Sequence, residues 1–359
     1  MGRNVISSVD DFSLSLSNKP MSFKKLDFSL TIENLFSIIL LFVLFIVPLN
    51  LFSQSDPVKG KKSDFSFKIA QKYTENSPYV YHYIQRDTVR RVFSDKSEKI
   101  YLRDVDYYIT ITAENPPQDG FLTITINIDS MMYRLKDGEA EFKFSSQEKL
   151  GGSGIEFDDM EFYNASLGRM FDLTLSPYGK VSSLGGEQLE WIRDYVLQGK
   201  GKISEKKMYI WDRALSDKNL AFITDIRKFE VPLGYLKIDT SWVSPLNFEL
   251  NGLSYQGDVT ALITDFETGH AHISAKLDSL SCNQEKSLFY GINELVDIVD
   301  SKLKGTYTVD INNNGSVDIA SLKAEIETDA RIKKEYFKEY THTEIKWILL
   351  GRYVYKSEK

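Results

Sequence analysis

Leu122-Thr-Ile-Thr-Ile-Asn-Ile128 decides the fold, because apolar and polar residues alternate through it without a break. That period of two belongs to an antiparallel strand with one buried and one wet face. His270-Ala-His-Ile-Ser-Ala-Lys-Leu277 alternates in the same way. The two stretches sit in longer segments that echo each other in order. Asp104-Val105-x3-Ile109-Thr110 matches Asp258-Val259-x3-Ile263-Thr264, and Ile124-x3-Ile128-Asp129-Ser130-Met131 matches Ile273-x3-Leu277-Asp278-Ser279-Leu280. Phe171-x-Leu173-x-Leu175-x3-Gly179-x-Val181 then matches Tyr307-x-Val309-x-Ile311-x3-Gly315-x-Val317. Three collinear matches of like polarity point to a duplicated unit.

Ser176-Pro-Tyr-Gly179 and Asn312-Asn-Asn-Gly315 separate alternating runs and read as hairpin turns, with glycine available for positive φ. Glu187 to Leu197 is helical, with Leu189, Ile192 and Val196 on one face. By the same spacing a helix is expected over Ser287–Leu303, striped by Leu288, Ile292, Leu295 and Val299, and another through Leu322, Ile326 and Ala330. Trp191 and Trp347 are expected in the core.

Aromatic residues make up 13% of the chain, mostly in alternating stretches, which favours strands. The expected fold is mainly β (α+β), as two similar lobes, each a curved antiparallel sheet packed with one or two helices. Residues 64–198 form lobe one, 199–232 an ordered connector docked through Trp211 and Phe222, and 233–359 lobe two. A chain of this length usually divides into two cores.

Leu35 to Val47 is an unbroken apolar run ended by Pro48 and Asn50 and followed by Ser53-Gln-Ser55. It is short for a bilayer span and suits the core of a signal peptide, with cleavage after Ser53 or Ser55. The preceding region carries Asp10, Asp11, Asp27 and Glu33, whereas a start at Met21 leaves a short basic region with Lys24-Lys25. Residues 1–53 are therefore read as a signal peptide with a true start at Met21, and 54–63 as a linker. An uncleaved anchor over Leu35–Phe52 is the alternative. Cys282 is the only cysteine, so no intramolecular disulfide can form and no lipidation cysteine follows the run. A bacterial envelope or periplasmic location is the expectation.

The net charge is −7, with both signs interspersed, which gives no footprint for nucleic acid. His270-x-His272 places two imidazoles on one strand face, but no third ligand is near in sequence, so no metal is assigned. Asp310-Ile-Asn-Asn-Asn-Gly-Ser-Val-Asp318 resembles half a calcium loop, yet Ser321 stands where the closing glutamate belongs. Gly151-Gly-Ser-Gly154 lacks the lysine of a phosphate loop, and Asp158-Asp159 with Glu161 reads as a solvated acidic cluster. Cys282 has no base partner in sequence. No catalytic residue and no cofactor is assigned.

Phe171-Asp-Leu-Thr-Leu-Ser-Pro-Tyr-Gly-Lys-Val181 and Ile238-Asp-Thr-Ser-Trp242 resemble segments of a family of secreted bacterial proteins defined as a domain of unknown function. The likeness spans most of residues 64–330. Ile238 stands where such proteins carry a glycine. The resemblance implies an exported β protein and transfers no functional residue. The plan also loosely resembles the half-barrels of periplasmic lipoprotein carriers, which hold acyl chains between a curved sheet and a helical lid.

These readings lead to an envelope binding protein without catalysis, whose curved sheets form an apolar groove for a hydrophobic or lipid-like ligand. The groove candidates are Ile124, Ile126 and Ile128 in lobe one, and Ile273, Ala275, Leu277, Leu288, Ile292 and Leu295 in lobe two. An envelope scaffold that binds a protein partner is the alternative. An outer-membrane barrel is not expected, since helices interrupt the strand series and the C-terminus lacks an aromatic strand.

Overall fold

The computed structural model describes residues 66–67, 69, 77–113, 119–147, 158–199, 203–267, 269–312 and 315–352. The apolar run at 35–47, its cleavage sites, the start at Met21, the linker at 54–63 and the Gly151–Gly154 loop lie outside these residues. Thirteen strands form one antiparallel sheet. They are β1 (Tyr79–Phe93), β2 (Glu98–Thr112), β3 (Leu122–Asp137), β4 (Ala140–Ser145), β5 (Met170–Leu175) and β6 (Val181–Gly185). After a helical segment come β7 (Ser241–Leu250), β8 (Leu253–Glu267), β9 (His270–Cys282), β10 (Lys286–Ser287), β11 (Val296–Asn312), β12 (Val317–Ile332) and β13 (Glu335–Arg352). The helices are α1 (Asp158–Asn164), α2 (Glu187–Gln198), α3 (Glu205–Ala214) and α4 (Asp217–Thr224). Ser204 and Ser216 cap α3 and α4 by accepting from the amides of Lys207 and Asn219.

Strand order is β6-β5-β3-β2-β1-β13-β12-β11-β9-β8-β7, with β4 paired to β3 and β10 to β11. The expected lobes are thus halves of a single sheet. The last strand joins them: β13 pairs with β1 along one side and with β12 along the other. The echoing segments lie on β2 and β8, β3 and β9, and β5 and β11, and these strands neighbour one another in the same order in each half. The two turns also agree. Gly179 and Gly315 both have φ near +83°, and each amide donates to the carbonyl three residues back, Ser176 and Asn312, at 2.8 Å. A side chain at Gly179 would also strike the Arg227 guanidinium, whose atoms lie within 2.7 Å of the would-be Cβ.

Two expected helices are strands. Leu322, Ile326 and Ala330 are buried on β12 together with Ala324 and Thr328. A spacing of four is even, so it fits one face of a strand as well as a helical stripe, and pairing with β11 and β13 decides the outcome. Over Ser287–Leu303 the chain runs through a loop with Gly291 at φ +74° and then enters β11, leaving Val299 exposed. The helix over 187–198 forms as expected, burying Leu189, Ile192 and Val196. Trp191, expected in the core, falls off that stripe and is 62% exposed.

One face of the sheet is apolar and covered. Tyr83, Tyr107, Tyr255, Ile126, Ile263 and Trp347 belong to a continuous core with Phe222, Ile223 and Phe229 from α4 and the segment after it. Trp347 is fully buried, donates from Nε1 to the Ile223 carbonyl at 2.8 Å, and meets Tyr83, Phe222 and Tyr307 edge-on. Helix α4 packs against both β6 and β7, the two ends of the strand order. A sheet whose opposite edges touch one helix must curl most of the way to a barrel, with α4 in the remaining gap. The outer face is charged, carrying the ion pairs Lys304–Glu325 and Lys338–Glu327. This is the inverse of a membrane barrel, whose outer band is apolar. Among the described residues no helix is long and apolar enough to cross a membrane.

Candidate functional site

The concave face holds its own side chains rather than a groove. Ile124, Ile126, Ile128, Ile273, Ala275 and Leu277 are all at most 2% exposed. Beside Ala275 and Leu277 remains an apolar void of about 10 Å³, enclosed by Phe222, Phe248 and Tyr307. That is about the smallest space one water can occupy and far too little for a ligand. The other named candidates lie at the end of the sheet nearest α3. Leu288 and Ile292 border a cavity of about 60 Å³, and Leu295 an outer groove, so the structure does not gather the nine residues into one site.

The cavity of about 60 Å³ adjoins a buried polar network. Arg103 pairs with Asp87 at 2.6 Å and Asp159 at 2.8 Å, and Tyr133 donates to Asp159 at 2.6 Å. Gln85 and Thr343 also donate to Asp87, both at 2.8 Å. Burial raises the Tyr133 phenol far above its ordinary range, with the Asp159 charge adding to it. Arg91 and Glu339 form a second buried pair at 2.6 Å, and burial raises the Glu339 carboxyl. Each charge is matched, as buried charges in a structural role must be. Asp159 and Glu161, read from sequence as solvated, instead hold the helices: Glu161 accepts from Trp211 Nε1 at 2.6 Å. Burial also raises the Cys282 thiol, away from the thiolate a nucleophile needs.

The gap between the sheet's edges is the most distinctive concavity. Val181–Leu184 of β6 and Pro245–Phe248 of β7 face each other across a slot of about 500 Å³, floored by Ala221, Phe222 and Asp225 of the α4 segment. Lys228 stands at its inner end and also borders the void beside Ala275. Its Nζ donates to the Phe222 carbonyl and lies 4.3 Å from the Phe222 ring centre and 4.6 Å from that of Trp347. Burial lowers this amine to about 7, with Asp225 opposing, and burial raises the Asp225 carboxyl. Lys228 adopts φ +63°, so the backbone bends sharply to aim the side chain inward.

A third concavity, about 870 Å³, lies outside the helices between α2 and α3 and is lined by Val196, Leu197, Met208, Trp211 and Leu295 among others. On another flank of α2, Trp191 and Tyr195 stack with ring centres 5.9 Å apart, and both are exposed. Neither the slot nor this groove could be read from sequence, because both depend on how far the sheet curls. The alternation of β5–β6 and β7 gave no sign that their outer edges would face each other.

No protein-family model matches the chain, and no curated protein matches it. Among solved structures, a lipovitellin structure described by its lipid–protein interactions aligns with 78% of this chain at 10% identity and a TM-score of 0.39. The alignment spans only 26% of the lipovitellin chain. An outer-membrane channel from Pseudomonas putida F1 aligns over 77% of this chain and 97% of its own at 6% identity and TM-score 0.23. The translocator domain of the autotransporter NalP from Neisseria meningitidis does so over 77% and 90% at 11% identity and TM-score 0.19. Likeness at these scores carries no functional argument.

Proposed function

We propose that this chain is an exported protein of the bacterial envelope that binds a hydrophobic, lipid-like ligand and catalyses no reaction. The carrying observation is the slot between β6 and β7. It is about 500 Å³ in volume, within the range of small-ligand sites, with Leu184, Leu246 and Phe248 among its walls and a single inner amine, Lys228. Ala275 and Leu277, put forward from sequence, lie behind its inner wall of Phe222 and Phe248. The apolar run at 35–47 and the single cysteine support export.

The test is titration of the purified protein, residues 54–359, with a fluorescent fatty acid. Ala221→Trp fills the slot from its floor and should weaken binding at least about tenfold, or about 1.4 kcal/mol. Leu197→Asp, in the outer groove, should leave affinity unchanged. Wild-type protein that binds no probe, or Ala221→Trp protein that binds it equally, would sink this reading.

A second reading, a scaffold for another envelope protein, is favoured by the exposed Trp191–Tyr195 stack on one flank of α2 and by Leu197, about 60% exposed in the outer groove on the other. Clustered exposed aromatics mark association surfaces. Probe binding abolished by Leu197→Asp and unaffected by Ala221→Trp would favour it.

A further inference from the structure

We propose that His270 and His272 form an open two-imidazole site for a divalent transition cation on the outer face of the sheet, independent of the ligand slot. The residues alternate along β9 around buried Ala271, so both rings project from the same face, about 7 Å apart along the strand. Neighbouring strands supply what the sequence around them lacks. Asp310 on β11, directly opposite His272, lies 2.6 Å from its Nδ1. Asp318 on β12 lies 3.2 Å from Nδ1 of His270 and is itself held by Arg352 and Asn312. Asp310 thus accepts from Nδ1 of His272 and leaves its Nε2 lone pair directed elsewhere, the arrangement by which carboxylates fix and strengthen metal-binding imidazoles, while Asp318 lies close to Nδ1 of His270 as a charge partner. Among the described residues neither Nε2 has a hydrogen-bond partner, and both side chains are about one-third exposed. Imidazole donors select borderline ions such as Zn²⁺, Ni²⁺ and Cu²⁺ over Mg²⁺ or Ca²⁺. Among the described residues no third His, Cys, Asp or Glu closes a cage, so water completes the coordination and the ion exchanges readily.

Calorimetric titration of untagged protein with zinc chloride, in a buffer that does not chelate, tests this. One equivalent should bind, and excess Mg²⁺ should not displace it. His270→Ala and His272→Ala should each lower affinity at least tenfold with no change in melting temperature, since both side chains are at the surface. Asp310→Asn keeps both imidazoles and should cost about 10- to 100-fold. The proposal is overturned if wild-type protein shows no saturable binding below about 1 mM, or if the double alanine variant binds as tightly as wild type. Unchanged affinity in Asp310→Asn would remove the role given to the carboxylate.

Discussion

Ala275→Phe separates a filled interior from an open groove. Ala275 is fully buried on β9, between Ala261 on β8 and Tyr307 on β11. The space beside it is a void of about 10 Å³ walled by Phe222, Phe229 and Phe248. An engineered cavity that accepts benzene measures about 150 Å³, so a new phenyl ring has more than tenfold too little room. Neighbours must leave their rotamers or the strands must part, at a cost of about 1–3 kcal/mol. In urea this lowers the unfolding midpoint by roughly 0.3–1 M for a slope near 3 kcal/mol/M. Chemical denaturation followed by tryptophan fluorescence is a suitable assay, because Trp347 reports on this core. Fatty-acid binding should persist where the variant stays folded, since the slot lies beyond Phe222. An unchanged midpoint together with lost binding would refute the reasoning, because the ring would then have entered space that a ligand normally occupies.

Phe222→Ala removes the ring that divides the slot from the core, where it stacks on Phe248 at 4.9 Å. It should cost about 3–5 kcal/mol by denaturation while increasing the volume open to a probe. Two buried groups on the α4 side set a pH dependence of opposite limbs. Burial raises Glu249 from its usual 4.5 to about 7 against its Arg213 partner, so the folded state holds the extra proton and stability falls as pH rises from 4.5 to 7. Lys228 is lowered from 10.5 to about 7, so its charging penalty is full below pH 7 and is relieved as pH rises to 10.5. Together they predict a local minimum near neutrality in melting temperature against pH. Glu249→Gln should flatten the acid limb and Lys228→Met the alkaline limb; limbs unchanged in both variants would contradict the assignment.

The strands were legible wherever alternation was strict and long, as in Leu122–Ile128, and both hairpin turns were legible from their glycines. What the sequence could not convey was pairing at a distance. β13 alternates like any other strand, and nothing in Glu335–Arg352 shows that it will stand between β1 and β12 and merge two halves. The two misread helices have different causes: Leu322, Ile326 and Ala330 are four apart and satisfy both periods until strand partners are known, whereas the stripe from Leu288 to Val299 is broken by a loop with Gly291 at positive φ. Trp191 illustrates the reverse error: a large aromatic one position off a buried stripe is carried outward by helical geometry whatever its hydrophobicity. The slot was illegible for a deeper reason. Its walls are edge-strand side chains whose partner lies some sixty residues away, and only the curl of the nine strands between them in the strand order brings them together.

That curl also constrains what the slot can accept. An uncovered strand edge invites pairing with another chain, yet both edges here are poor templates. β6 has only five residues, and Pro245 interrupts the hydrogen-bonding row of β7 at the slot itself. Lys180 and Lys218 stand at the rim, charges of the kind that discourage strand addition. Helix α4 occupies the floor, where a docking strand would have to run. A partner that needs backbone hydrogen bonds is therefore disfavoured, while one that combines apolar and side-chain polar contact meets Leu184, Leu246 and Phe248 interleaved with Ser182, Ser183 and Asn247. The features that keep the unclosed sheet from aggregating thus favour a small amphipathic ligand over a peptide strand.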